Sequence, residues 1–231
     1  MSDYFNHLLF GIYPYIALAV LAVGSVIRYD REPYSWRAGS SQLLRRKQLI
    51  IGSVLFHAGV LLIFAGHVVG LLTPIAVFDT LGISHGAKQL LAIVAGGFAG
   101  VLGIVGATLL IHRRFFDPRV RAASSFSDNM VILLLWAQLA LGLATIPLSL
   151  QHLDGHEMVK FMNWAQGIFT FRSGAADQIA DVALVFKLHL FMGLTILLLF
   201  PFTRLVHMLS APVRYVWRPG YQVVRSRKLA R

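Results

Sequence analysis

The sequence predicts an all-α integral membrane protein with five transmembrane helices, its N-terminus outside and its C-terminus in the cytoplasm. Three observations predict it. Of 231 residues, 57% are hydrophobic and 13% charged, with a mean hydropathy of +0.68; an ordinary globular chain carries about 25% charged residues. Five runs, residues 8–27, 49–72, 90–111, 130–150 and 182–208, are apolar over the roughly 20 residues that a spanning helix needs. Finally, Lys and Arg collect in alternate loops, which orients a membrane chain.

The N-terminus carries Asp3 and has neither a basic stretch nor a small-residue cleavage site, so no secretory leader is expected. Pro14 lies in the first run, Pro147 in the fourth and Pro201 in the fifth. Membrane helices tolerate proline, so each is expected to bend its helix without ending it. The loop after the first run holds Arg28, Arg31, Arg37, Arg45, Arg46 and Lys47. The loop after the third holds Arg113, Arg114, Arg119 and Arg121, and the C-terminal region is equally basic from Arg204 to Arg231. The opposite side has only Lys88, Lys160 and Arg172, with Lys187 inside the last run. The positive-inside rule therefore puts the basic loops in the cytoplasm. Their charge serves topology alone, or topology plus docking of a cytoplasmic partner on the first loop and tail. The net charge of +11 comes with no nucleic-acid-binding motif, so no nucleic-acid partner is expected. The simplest partition is one membrane domain over 1–208 and a basic cytoplasmic tail over 209–231.

The loop over 151–181 is long and slightly acidic. In it Met158, Phe161, Met162, Ala165, Ile168 and Phe169 recur at helical spacing beside Trp164. That pattern predicts a short amphipathic helix at the outer surface, either a lid over a site in the outer leaflet or a plain connector.

Cysteine is absent. This excludes disulfides, iron–sulfur ligation, thiolate haem ligation and the C-x-x-C-H attachment of c-type haem. Any metal must lean on histidine, carboxylate or methionine. Four histidines lie inside apolar runs: His57 and His67 in the second, His189 and His207 in the fifth. Intramembrane histidine is costly and usually functional. On one continuous helix, the eighteen residues from His189 to His207 return to the same face about 27 Å further along. The antiparallel order of the spans then pairs His67 with His189 toward the outside and His57 with His207 toward the inside. The inner pair matches less well in depth, and a bend at Pro201 is expected to absorb the difference. Two such pairs suit two bis-histidine b haems stacked across the membrane. Iron with two axial imidazoles has no open position, which favours electron transfer over oxygen chemistry.

Small residues accompany the histidines. Gly52, Gly59, Gly66 and Gly70 lie in the second run, and Gly96, Gly100 and Gly103 in the third. They make room for a flat macrocycle or for close helix packing. Lys187, Arg204 and Lys88 are candidate partners for haem propionates, and snorkelling to the interface accounts for each equally well. His7, His85, His112, His152 and His156 receive no ligand role.

With these residues in view, the chain closely resembles the gamma subunit of bacterial membrane-bound respiratory nitrate reductase, a di-haem cytochrome b. The resemblance runs through FGIYPYIALAV, SVIRYDREPYSWRAGSSQLLRRK, LFHAGVLLIFAGHVVGLLTP, KQLLAIVAGGFAGVLG, FFDPRVRA, TIPLSLQHLDGHEM and FKLHLFMGLTILLLFPFTRLVHMLSAPVRY. It covers nearly the whole chain. It implies a multi-pass protein of the bacterial inner membrane that oxidises quinol near the outer face. Electrons would pass through two haem b groups to an iron–sulfur beta subunit and a molybdenum-containing alpha subunit that reduces nitrate. The ligand motifs fall on His57 and His207 for the inner haem and on His67 and His189 for the outer. Gly66, His67 and Lys88 match the quinol pocket beside the outer haem. A di-haem quinol dehydrogenase subunit of a different reductase would keep every histidine. A haem-free anchor or transporter would not need them paired in depth.

Overall fold

The structure is a computed structural model that describes residues 3–36, 41 and 43–210. The expected tail, 209–231, lies outside the described residues from 211 onward, as do 37–40 and 42 of the first basic loop. Five helices are long and apolar enough to cross a membrane: Asp3–Arg31, Arg46–Leu72, His85–Phe116, Phe126–Ser149 and Leu184–Phe202. We call these the first to fifth spans. The first four contain all or nearly all of the apolar runs that predicted them and extend past them, mainly by polar residues, whereas the fifth covers only the 184–202 part of its 182–208 run. Serine sets two of the starts. Ser84 Oγ accepts from Ala87 N at 3.2 Å to open the third span. Ser125 Oγ accepts from Asp128 N at 3.1 Å to open the fourth. Each satisfies one of the amides that a helix start leaves without a partner.

Glycine decides how the spans pack. The second span buries only Gly52 and Gly59 of its 27 residues. A Cβ at Gly59 would lie 2.4 Å from Gly103 N and 2.5 Å from Ala99 O. A Cβ at Gly106 would lie 2.3 Å from Phe56 N. The second and third spans thus touch backbone to backbone, a fit that only small residues permit. The third packs on the fourth, the fourth on the fifth and the fifth on the first. The second and fifth are not among the closely packed neighbours. Gly59 and Gly103 are therefore packing residues. Gly66, Gly70 and Gly96 would meet nothing within 4 Å and leave open space beside the backbone.

The three prolines behave differently. Proline cannot donate to the carbonyl four residues earlier. Before Pro14 the first span widens into a π-helical turn, Leu8–Ile12, and the carbonyl of Phe10 accepts from Trp164 Nε1 at 2.9 Å. Pro147 stays inside a continuous fourth span. Pro201 does more than bend the fifth. The α-helix ends at Leu199, a 3-10 turn covers Phe200–Phe202, Thr203 is extended (φ −123°, ψ 177°), and a 3-10 segment runs over Arg204–Ser210. The expected single helix with two histidines on one face is corrected. His189 is on the α-helix and His207 is on the segment beyond the break.

The amphipathic helix expected in the 151–181 loop spans His156–Phe169. It starts at Gly155, whose φ of +81° and whose approach to the His85 backbone (2.5 Å from a Cβ to C) suit glycine. It does not merely rest on the bundle. Met162, Trp164, Ala165, Gly167 and Ile168 are buried, and Gln166 Nε2 donates to the carbonyls of Leu71 and Thr73, both at 3.0 Å. This cap helix seals one end of the bundle, hereafter the cap end. The other, with the Pro33–Ser35 turn and the Pro201 break, is the loop end.

Candidate functional site

The histidines expected to pair do face each other. The ring centroids of His67 and His189 are 6.2 Å apart, and those of His57 and His207 are 6.4 Å apart. Two imidazole nitrogens bound to opposite sides of one metal, each at about 2 Å, put the ring centroids roughly 6.3 Å apart. Both pairs lie between the second span and the fifth-span region, two elements that do not pack closely on each other.

Hydrogen bonds fix which ring nitrogen is free. His57 Nδ1 donates to Ser53 O at 2.7 Å, His67 Nδ1 to Ile63 O at 2.8 Å, and His207 Nδ1 to Arg204 O at 2.5 Å. A metal-binding histidine characteristically gives its second N–H to such a carbonyl, which sets tautomer and ring plane. In all three, Nε2 is left as the nitrogen that carries the lone pair. His189 is the exception. Its buried Nδ1 has no hydrogen-bond partner among the described residues. Gln138 of the fourth span takes over the restraint. Its Nε2 donates to His189 O at 3.1 Å and lies 3.5 Å from His189 Nε2. Glycines admit both groups: a Cβ at Gly142 would come within 3.0 Å of the His189 ring, and one at Gly193 within 3.2 Å of the Gln138 amide.

Among the described residues, no group of three or more His, Cys, Asp or Glu side chains could hold a metal ion. Two opposed imidazoles fit an iron whose remaining positions are filled by a macrocycle. The residues present thus suit haem and do not suit a bare ion.

Lys88 sits near the start of the third span, at the cap end, and is buried. Its Nζ contacts Met162 Sδ of the cap helix and lies 4.0 Å from the centroid of the Phe78 ring. Among the described residues no carboxylate lies within salt-bridge distance of it. A buried ammonium held by a thioether and a ring face has donor capacity to spare. Lys187, also buried, donates to Ala180 O at 2.6 Å.

At the loop end, Arg204 Nη1 pairs with Asp128 Oδ1 at 3.2 Å, and Arg114 lies 3.6 Å from the other Asp128 oxygen. Arg28 reaches the Pro201 break and donates to Pro201 O and Thr203 O. The sequence reading missed Arg28, Asp128 and Gln138 as parts of the sites. For Gln138 a signal existed, since an amide in the middle of an apolar span has to find a partner.

Comparison with known proteins identifies the family. A family model described as nitrate reductase gamma subunit matches residues 6–227. The chain is 50% identical to respiratory nitrate reductase 1 gamma chain of Escherichia coli (strain K12), over 97% of this chain and 99% of that protein. It is 49% identical to the respiratory nitrate reductase 2 gamma chain of the same organism, over 99% of this chain and all of that one. It is 40% identical to the nitrate reductase gamma chain of Bacillus subtilis (strain 168), over 96% and 99%. Similarity over almost the full length of these relatives shows that the chain belongs to the nitrate reductase gamma subunit family.

Proposed function

We propose that this chain is the membrane cytochrome b subunit of a respiratory nitrate reductase in the bacterial inner membrane, oxidising quinol near the outer face. The observation that carries the proposal is two pairs of opposed imidazoles, at 6.2 and 6.4 Å, between the second span and the fifth-span region, which do not pack closely on each other. The cap end faces outward and the loop end faces the cytoplasm, a direction supported by the arginines of the basic loops. His67 and His189 hold the outer haem b, and His57 and His207 the inner. Bound there, the two haems supply a one-electron relay across the bilayer.

Quinol binds beside the outer pair, in a pocket that uses Gly66, His67 and Lys88. Gly66 keeps its side of the helix open. Lys88, with a donor to spare, hydrogen-bonds a quinol oxygen, and the cap helix over it limits access of water. The protons of quinol are released outside. Arg204, paired with Asp128 beside the inner site, is the propionate partner there. The basic first loop and the tail dock the iron–sulfur beta subunit, which passes electrons to the molybdenum-containing alpha subunit. With no cysteine, this chain carries no iron–sulfur cluster and depends on such a partner.

Replacing His67 with alanine tests the assignment. Reduced-minus-oxidised spectra of the purified complex should lose one of two b-type components, and quinol oxidation should cease. Two intact components would overturn it.

A further inference from the structure

The inner site depends on an irregular piece of backbone, and one side chain holds that backbone in place. When the fifth span stops at Leu199, the carbonyls that follow lose their helical donors. Deep in a membrane protein such groups must be satisfied from within. Arg28, near the end of the first span, does so. Its Nη1 donates to Pro201 O at 2.6 Å and to Thr203 O at 2.7 Å. The other nitrogens of the fork are also used: Nε donates to Ser35 Oγ at 3.0 Å and Nη2 to Ser35 O at 3.1 Å. Gly24, one turn earlier on the same face, lets the first span close on the break. A Cβ there would lie 3.0 Å from the Cβ and Cγ of Pro201. From Thr203 the chain passes directly to Arg204, whose carbonyl orients the His207 ring.

We propose that Arg28 is the positioning residue of the loop-end site, holding the Pro201 break in the one geometry that turns His207 toward His57. The proposal rests on the reading of His207 as a haem ligand. Arginine suits the task because its planar, always charged fork reaches two carbonyls and a serine at once. A lysine ammonium cannot match that geometry.

The test uses the assembled enzyme in native membranes, with haem content, low-spin haem resonances and midpoint potentials as readouts. His207→Ala should remove one b component. Arg28→Gln should lower occupancy of that same component by about 10-fold, the usual scale for losing an outer-shell partner of a metal ligand. It should also displace the potential of what remains, with the other component unchanged. Arg28→Lys should restore only part of the loss. Gly24→Ala, which pushes the first span off Pro201 without removing charge, should displace the same potential and covers the case in which Arg28→Gln fails to accumulate. Retention of both components in His207→Ala would sink the ligand reading itself. Loss of one component in His207→Ala, with native occupancy and potentials in Arg28→Gln or in Gly24→Ala, would overturn the role of Arg28 and leave the ligand reading standing.

Discussion

The two ends of this bundle solve the same problem with different materials. At the cap end both histidines sit on regular α-helix, and their restraints are local or come from the next span. His67 uses its own turn, and His189 uses Gln138. At the loop end only His57 has a regular helix under it. His207 rides on a 3-10 segment beyond a proline break, and its position is set by the first span through Arg28 and by the fourth through Asp128. The difference teaches that a ligand can be placed by helix geometry alone when depth and azimuth agree with a partner. Where they disagree, the chain breaks its helix and uses half-buried charge to define the result.

The largest test of this contrast is at Pro201. Pro201→Ala allows the fifth helix to continue through 200–203, which turns His207 away from His57. Loss of most of the loop-end component is expected, with the cap-end component intact in the same spectrum; simultaneous loss of both would erase the distinction between the ends. Next is a pair of glycines on one helix. Gly59→Ala drives a Cβ into the backbone of Gly103 and should destabilise the complex by about 1–3 kcal/mol in detergent unfolding. Gly66→Ala meets nothing within 4 Å and should unfold like the native protein, its effect confined to quinol kinetics. Equal destabilisation by the two would refute the separation of packing and site glycines. Gln138→Leu is milder. It should reduce retention of the cap-end component alone, by less than about 10-fold, and a matching change at the loop end would contradict the local character of that restraint.

The smallest effect is expected at the surface of the cap. Lys160 donates to Asp181 at 2.6 Å and to Glu157 at 3.0 Å. That hydrogen bond from Lys160 holds the Asp181 carboxyl below the usual carboxylate range, and the Lys160 ammonium is raised in turn. A lowered carboxyl stabilises the fold above its ordinary pKa near 4. The contribution is lost as pH falls through the lowered value. Asp181 is largely exposed, so at most about 1 kcal/mol is involved. Thermal unfolding of Lys160→Met should match native at acid pH and fall slightly below it at pH 7.

Much of this was legible in the sequence for a physical reason. Lipid forces every span to declare itself as an apolar run, and it makes an intramembrane histidine conspicuous. Antiparallel order then pairs His67 with His189 and His57 with His207 without any tertiary information. The restraints were not legible, because each joins residues far apart in the chain. Pro201 announces a disturbed helix, yet the donor that satisfies its carbonyl is 173 residues away. The Phe10 carbonyl left free by Pro14 is met by Trp164, 154 residues on. The glycines were ambiguous for a similar reason. Gly59 and Gly66 look alike in sequence, and only the position of the third span tells them apart.

The loose relation between the second and fifth spans also bears on how the protein matures. The second span is fastened along its back to the third and at one end to Gln166 of the cap helix, while its histidine side faces a gap. Two spans that meet through a shared ligand have their association linked to it. A ligand that binds only the native arrangement stabilises that arrangement by about 4 kcal/mol when present at a thousand times its dissociation constant. Insertion of the five spans and closure of the second against the fifth would then be separable events, with a group held between the histidine pairs favouring closure.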